Sequence, residues 1–143
     1  MPLLNYTTRV AADRSISEIQ KQLAKHGANE ILAQYDDTGS VVALSFRMLI
    51  EDTPIAYRLP CDWRPVLAII EKDKRVPRAK RTKEHALCVS WRIVKDWVEA
   101  QMAIIETRMV KTDQVFLPYA IMRNGSTLYE HAQATKLLSA PKP

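Results

Sequence analysis

Residues 72–111 decide how the rest of this chain is organised. They read KDKRVPRAKRTK over 72–83 and EHALCVSWRIVKDWVEAQMAIIETRMVK over 84–111. Apolar residues recur at spacings of three and four from Leu87 to Met109, which predicts a long helix over about residues 84–110. Residues 72–83, the basic segment, precede that helix. Pro77 interrupts the basic segment and predicts a loop, which we expect to be mobile until it binds a ligand.

The charge of the chain is concentrated in the basic segment. It holds seven Lys or Arg and one Asp, a net charge of +6, whereas the whole chain of 143 residues carries +5. The remaining residues therefore sum to −1. Such focusing favours a polyanionic partner: nucleic acid, a phosphorylated small molecule, an acidic protein surface or an anionic membrane. The side chains predicted to contact phosphates are Lys74, Arg75, Arg78, Lys80, Arg81 and Lys83. The alternative is a solvated loop that only aids solubility.

Length and composition predict one globular domain over residues 1–143. Apolar residues make up 47% of the chain and charged residues 26%, which are values of a folded protein with a real core. No apolar run is long enough to span a membrane, and the first residues lack the pattern of a signal peptide. Two cysteines, Cys61 and Cys88, lack the spacing of a metal or redox motif, which is typical of a reducing cytosol. The sequence thus predicts a cytoplasmic protein without membrane contact.

Local signals predict an α+β fold in the order β-α-β-β-β-α. An antiparallel sheet of three to four strands would pack on the long helix, with a C-terminal appendage over residues 112–138. Ser15 and Glu18 have capping-box spacing and predict the start of the first helix, which Gly27 would end. Asp62 is expected to cap a second helix, and Thr127 with Glu130 a terminal one that reaches about Leu138. Strands are predicted at 4–10, 30–35, 40–50, 55–59 and 119–122, and a brief turn or helix from Thr112.

The central strand carries a second candidate site. Val42, Leu44, Phe46, Met48 and Ile50 share one apolar face of residues 40–50. Arg47 lies on the opposite face, and the register of the sheet would decide whether it approaches Arg58 and Arg9. Such an arginine cluster could bind anions or nucleic acid. The alternative is that these arginines are solvated or paired with carboxylates of the turns.

The tryptophans of the long helix are predicted to lie in the core. Trp91 and Trp97 both fall within its wide apolar stripe, so packing is favoured over stacking on a ligand. If one domain cannot bury the whole stripe, the surplus would form a homodimer interface through this helix.

No pattern in the sequence indicates catalysis, a metal or a cofactor. His85 and Cys88 lie three apart on the long helix, but two ligands are too few for a metal site. The paired carboxylates at 36–37 and 51–52 fall in turns, where acidic residues are expected for backbone reasons. Three glycines leave no room for a nucleotide-binding motif. An enzyme is therefore the third hypothesis for function.

Eight segments together resemble a family of small proteins encoded by bacteriophages, prophages and integrative elements. They are YTTRV (6–10), ISEIQ (16–20), LAKHGA (23–28), YDD (35–37), ALSF (43–46), YRLP (57–60), WRIVKDWVEAQ (91–101) and FLPYA (116–120). The resemblance spans most of the chain and implies a bacterial host cell. It carries no assigned activity and so transfers no functional residue.

Two hypotheses for function follow from the charge placement and this resemblance. The first is a phage or mobile-element accessory protein that binds nucleic acid non-enzymatically, with low sequence specificity. The second is an inhibitor of a host defence system that binds a host effector protein or sequesters a nucleotide signal. The inner order of helix, three strands and helix is also that of double-stranded-RNA-binding domains, but the basic helix start of that family is not found at the corresponding place. Order alone does not assign function.

Overall fold

The fold is α+β, as the sequence predicts, in a computed structural model that describes residues 2–142. Its elements are α1 (Ala12–Lys25), β1 (Glu30–Tyr35), β2 (Val41–Ile50), β3 (Thr53–Arg58), α2 (Trp63–Lys72), α3 (Lys83–Glu106), α4 (Thr112–Phe116) and α5 (Leu128–Thr135), with 3₁₀ turns at Arg78–Lys80 and Leu117–Tyr119. The order is therefore α-β-β-β followed by four helices, of which α3 is the long one and α4 and α5 are short. The predicted β-α-β-β-β-α order is wrong because its first strand does not form.

The N-terminal segment contacts α3 and joins no sheet. Residues 4–7 form turns, and Asn5 has a positive φ of 64°. The Asn5 side chain donates a hydrogen bond to Asp96 of α3 at 2.9 Å. The Tyr6 carbonyl lies 2.7 Å from Nε2 of His85, also on α3. Alternating residues over 4–10 fit a strand, but no strand edge is paired with them, and α3 satisfies their polar groups instead.

Helix α1 begins three residues before the predicted cap. Its N-cap is Ala11, which offers no side-chain acceptor, and Ser15 is fully buried inside the helix. Glu18 forms no capping box. It instead accepts a hydrogen bond from Arg92 of α3 at 2.9 Å and pairs with Arg14 at 3.3 Å. Gly27, with a φ of +105°, follows the end of α1 as predicted.

The position of Glu18 joins α1 to α3. Partial desolvation of this carboxyl opposes ionisation, but hydrogen bonds and charge from Arg92 and Arg14 outweigh it and hold the pKa of Glu18 below its ordinary value. Arg92 stands four residues before Asp96 on α3, a spacing that allows a pair along the helix, but its partner is Glu18 across the two helices. Lys95 and Glu99, at the same spacing, do form an ion pair.

The three strands form an antiparallel meander in the order β1-β2-β3. The predicted apolar face of β2 is confirmed, since Leu44, Phe46 and Met48 are all buried. The predicted strand at 119–122 is wrong. Only isolated bridges occur there. The bridge from Tyr57 to Ala120 lies at the free edge of β3, and the one from Ile121 to Thr127 lies within the C-terminal segment, so neither extends the sheet.

The core lies between one face of the sheet and the pair α1 and α3. Trp91 is fully buried, and its indole N–H donates to the carbonyl of Val41 at 3.0 Å, which fixes α3 against β2. Trp97 packs edge-on against Phe116 at a centroid distance of 5.7 Å. Both tryptophans therefore serve packing, as predicted. Because the stripe of α3 is largely buried inside the domain, the structure adds no support for a dimer through this helix, which stays a prediction.

The ends of the later helices differ from prediction by a few residues. Helix α2 begins after Asp62, whose carboxylate accepts from the Arg64 amide as expected. Helix α3 ends at Glu106, four residues early, and Arg108 then takes a positive φ of 66°. The capping box of Thr127 and Glu130 is confirmed, but α5 stops at Thr135. Within residues 2–142 no helix is both long enough and apolar enough to cross a membrane.

Candidate nucleic-acid interface

The basic segment is a folded loop between α2 and α3. Val76 at its centre is 2% exposed and packs against Ile70 of α2 and Ala86 of α3. Backbone hydrogen bonds from the amides of Val76, Lys80 and Arg81 close successive turns at 2.9–3.1 Å. Pro77 separates the two helices as predicted. The structure thus shows an anchored loop in place of the mobile one expected from the sequence.

Three of the six predicted phosphate contacts instead hold this loop together. Arg75 pairs with Asp73 through two hydrogen bonds of 2.9 Å and lies 5.8 Å from the ring centroid of Tyr6. This pairing holds the pKa of Asp73 below its ordinary value. Arg81 donates to the carbonyls of Val76 at 3.0 Å and Asp73 at 3.3 Å. Arg75 and Arg81 therefore have structural partners that a phosphate would have to displace.

Lys83 is the third predicted phosphate contact that has a structural partner. Its ammonium lies 2.6 Å from a carboxylate oxygen of Asp36, in the turn between β1 and β2, and 5.0 Å from the ring centroid of Trp63. It therefore joins the start of α3 to the sheet and to α2. Hydrogen bonds from Lys83 first, and from Thr38 second, hold the pKa of Asp36 well below its ordinary range.

Replacing Asp36 by Asn is expected to destabilise the protein at neutral pH and to matter less in acid. Asn keeps the Oδ1 acceptor used by Thr38 and Ser40 but replaces the Oδ2 that Lys83 contacts. Because the pKa of Asp36 is lowered in the folded state, its stabilisation is fully present above about pH 4 and is lost as the pH falls through the folded pKa. Urea denaturation of both proteins between about pH 7 and pH 2.5 measures this. A gap in free energy of unfolding that stays constant with pH would contradict the assignment.

The other three predicted contacts point outward. Lys74, Arg78 and Lys80 are exposed, and within residues 2–142 none has a hydrogen-bond or ion-pair partner. The same holds for Lys72, which ends α2, and for Arg9 in the N-terminal segment. We call these five side chains the outward cations. They can reach a ligand without breaking any contact of the fold.

Arg9 lies beside the basic loop, where sequence reasoning did not place it. With Lys80, Thr82 and Glu84 it lines a groove of about 240 Å³ at the N-terminus of α3, so one carboxylate stands beside the two cations. Thr82 caps that helix, since its hydroxyl accepts from the His85 amide at 3.2 Å. The N-terminus of a helix carries partial positive charge and favours anions, so it adds to the two cations. Arg9 does not join Arg47 in the sheet, because residues 4–10 form no strand.

Arg47 and Arg58 share one face of the sheet, as the second candidate site required. Arg47 stands opposite Ala56, and Arg58 opposite Ser45, so the two arginines are diagonal neighbours. This is the face away from α1 and α3, because the core uses the opposite face of β2. Arg47 lies 3.6 Å from Glu30, and Arg58 lies 3.8 Å from Glu130, so each arginine has a carboxylate beside it. The sheet arginines therefore form a surface of mixed charge.

The groups that could serve as nucleophiles or acids are in ordinary structural settings. Burial, and to a lesser extent the charge of Asp62, raises the pKa of the Cys61 thiol to about 12, which makes it unreactive. His85 is bound to the Tyr6 carbonyl, and Cys88 is half-buried. Across the described part of the chain no three His, Cys, Asp or Glu side chains approach closely enough to hold a metal ion.

Comparisons with protein-family models, with curated proteins and with solved structures each found no match. The resemblance to small phage and mobile-element proteins therefore remains a prediction from the sequence.

Proposed function

We propose that this protein binds nucleic acid without catalysis, through phosphate contacts made by the five outward cations. Four of them belong to the basic segment, and the fifth, Arg9, lies beside it. The observation that carries the proposal is the division within that loop. Arg75, Arg81 and Lys83 are engaged in holding it, whereas Lys74, Arg78 and Lys80 are exposed and unpaired within residues 2–142. An anchored loop that presents free cations is already shaped for a polyanion, so binding costs little ordering entropy.

Low sequence specificity follows from the chemistry of these side chains. Lysine and arginine that contact phosphate fix position on the backbone but read no base. The aromatic rings beside the loop, Tyr6 and Trp63, already lie against Arg75 and Lys83, so they are not free to stack on a base. Affinity therefore depends on counterion release and falls steeply with salt.

The arrangement of α1 and α3 favours including double-stranded RNA among the ligands tested. Helix α3, not α2, shares the sheet face with α1, and it begins directly after the basic loop. Double-stranded-RNA-binding domains have basic residues at the start of the second helix that packs on the sheet. The sequence predicted no such basic start at the corresponding place, because α2 was taken as that helix. The likeness concerns the order and packing of elements, so it guides the choice of ligand and does not assign one.

The test is fluorescence anisotropy with single- and double-stranded DNA and RNA at about 50 and 200 mM salt. Three to five phosphate contacts on a duplex predict a roughly 40- to 500-fold loss of affinity between these concentrations. Affinity is expected to rise with oligonucleotide length and to vary little with sequence. Absence of saturable binding to all four polymers at the lower salt would overturn the proposal. Binding that is confined to a mononucleotide or to one acidic protein would favour the alternative, an inhibitor of a host defence.

A further inference from the structure

The face of the sheet that carries neither α1 nor α3 is only half polar. We call it the open sheet face. Its outward positions in register are Glu30, Leu32 and Gln34 of β1, Ser45, Arg47 and Leu49 of β2, and Ala56 and Arg58 of β3. Leu32 is 60% exposed and Leu49 57% exposed. An antiparallel sheet with one solvated face normally alternates apolar residues inward and polar residues outward, and these two leucines depart from that pattern.

A shallow groove crosses this face. It has a volume of about 480 Å³, and its walls include Leu32, Ala56 and Ile121 as well as both sheet arginines. The amide of Ile121 donates to the Ala56 carbonyl at 2.8 Å, which closes the groove at the edge of β3. The groove is thus an apolar strip with charged groups on both sides.

The charges around the groove balance in sign. Glu30 and Glu130 stand beside Arg47 and Arg58, two of each sign, on a chain whose total is +5. Both ion pairs are long, at 3.6 and 3.8 Å, and all four side chains are 39–66% exposed. Arg58 also donates to the Gly125 carbonyl at 3.2 Å, and Glu130 accepts from Thr127 at the start of α5, whereas the Arg47 guanidinium makes no hydrogen bond within residues 2–142. The five donors of Arg47 are therefore available to a partner.

We propose that the open sheet face is the contact surface between two copies of this chain. The charge pattern favours a second copy over other occupants. A nucleic acid or an acidic partner would meet Glu30 and Glu130, and a basic partner would meet Arg47 and Arg58. A twofold arrangement with its axis between Glu30 and Arg47 places each of these two charges against its opposite in the other copy.

The register of β1 against β2 defines the twofold axis that the proposed dimer requires. Glu30 stands opposite Arg47, and Leu32 opposite Ser45, on neighbouring strands. An axis in the plane of the interface, parallel to the strands and between β1 and β2, brings Arg47 of each copy onto Glu30 of the other. It also lays Leu32 of each copy over Ser45 of the other, and this covers the exposed leucine. The basic loops lie on the helix side and remain free, so a dimer presents two of them.

The size of the face predicts a weak dimer. With this axis β1 and β2 of one copy lie over β2 and β1 of the other, and β3 lies outside the overlap, so the paired residues of the two strands span on the order of 20 by 10 Å. This is much smaller than the roughly 800 Å² per partner of a standard stable interface. We therefore expect a weak dimer that forms toward the upper end of the micromolar range.

Sedimentation equilibrium of the full chain between about 5 and 500 μM tests the proposal. The average mass is expected to rise with concentration from the 16.3 kDa of one chain. Arg47→Glu alone or Glu30→Arg alone places like charges across the interface and is expected to weaken association more than about tenfold. An equimolar mixture of the two variants is expected to restore it, because each then meets its opposite charge. The double variant E30R/R47E is also expected to associate, since both the internal and the intermolecular pairs are kept with exchanged sign.

Leu32→Ser provides a second, uncharged test and is expected to weaken association as well. A wild-type chain that stays monomeric to 500 μM would overturn the proposal. So would single charge reversals that associate as well as the wild type, or a mixture that fails to recover. The measurement involves no nucleic acid, so its outcome is independent of the proposed function. Far-ultraviolet circular dichroism of each variant confirms that the exposed substitutions leave the fold intact.

Discussion

Replacing Trp91 by Ala is expected to lower the free energy of unfolding by about 3–5 kcal/mol. The side chain is fully buried in the middle of α3 and belongs to the core cluster shared by α1, the sheet and α3. Its removal leaves a large cavity and also leaves the Val41 carbonyl without its indole donor. Domains of this kind have a total stability of about 5–15 kcal/mol, so this single change is expected to leave a large fraction of the chain unfolded on mild heating.

The matched control keeps most of the aromatic packing while removing the hydrogen bond. Trp91→Phe keeps an aromatic ring but removes the N–H that bonds Val41, so a loss of about 1–3 kcal/mol is expected. Urea denaturation followed by circular dichroism gives both values without relying on tryptophan fluorescence. A loss of under about 1 kcal/mol for Trp91→Ala would show that α3 is not fixed to the sheet through this residue.

Changing Lys74, Arg78 and Lys80 together to Ala is expected to weaken nucleic-acid binding by roughly two orders of magnitude at about 0.15 M salt. Each lost phosphate contact also reduces the slope of log affinity against log salt by about 0.9 on duplexes, hence by nearly three units in all. Folding is expected to be nearly unchanged, because these exposed side chains have no partner within residues 2–142. Salt titrations by anisotropy measure the slope directly.

A control variant with the same loss of charge elsewhere distinguishes binding at the basic loop from a general effect of the protein's net charge. Lys21, Lys25 and Arg123 are also exposed and are without ion pairs in the described chain. Their triple change to Ala removes the same three positive charges from other surfaces. If both triple variants lose affinity equally, the basic loop is not the binding site. Variants of Arg75 or Arg81 are poor tests, since they also break the loop's own contacts.

Local signals predicted the elements whose formation depends on near neighbours. The period of three and four residues indicated α3, and the period of two indicated β2. The Asp62 cap, the capping box of Thr127 with Glu130 and the glycine end of α1 at Gly27 depend on groups within a few residues, so they too were confirmed. The capping box of Ser15 failed because burial of Ser15 against the core outweighed a local signal of the same form.

The sequence predicted which segment carries the candidate site but not how its side chains are oriented. The sequence located the charge at residues 72–83, yet it gave no means of telling Arg81, which turns inward onto carbonyls, from Arg78, which does not. Arg9 was assigned to the sheet because its neighbours alternate like a strand. Its position beside Lys80 depends on the path of the N-terminal segment along α3.

The sequence by itself determined the fold class, the long helix, the central strand and the location of the positive charge, because periodicity and net charge are properties of consecutive residues. Only the tertiary structure decided which cations of residues 72–83 are free. Lys83 is neutralised by Asp36, 47 positions away, and Asn5 meets Asp96 across 91 positions. Such partners are chosen by the packing of the whole chain, and no local pattern encodes that choice. The basic segment is therefore held by three of its seven cations, and the other four are left exposed for a ligand.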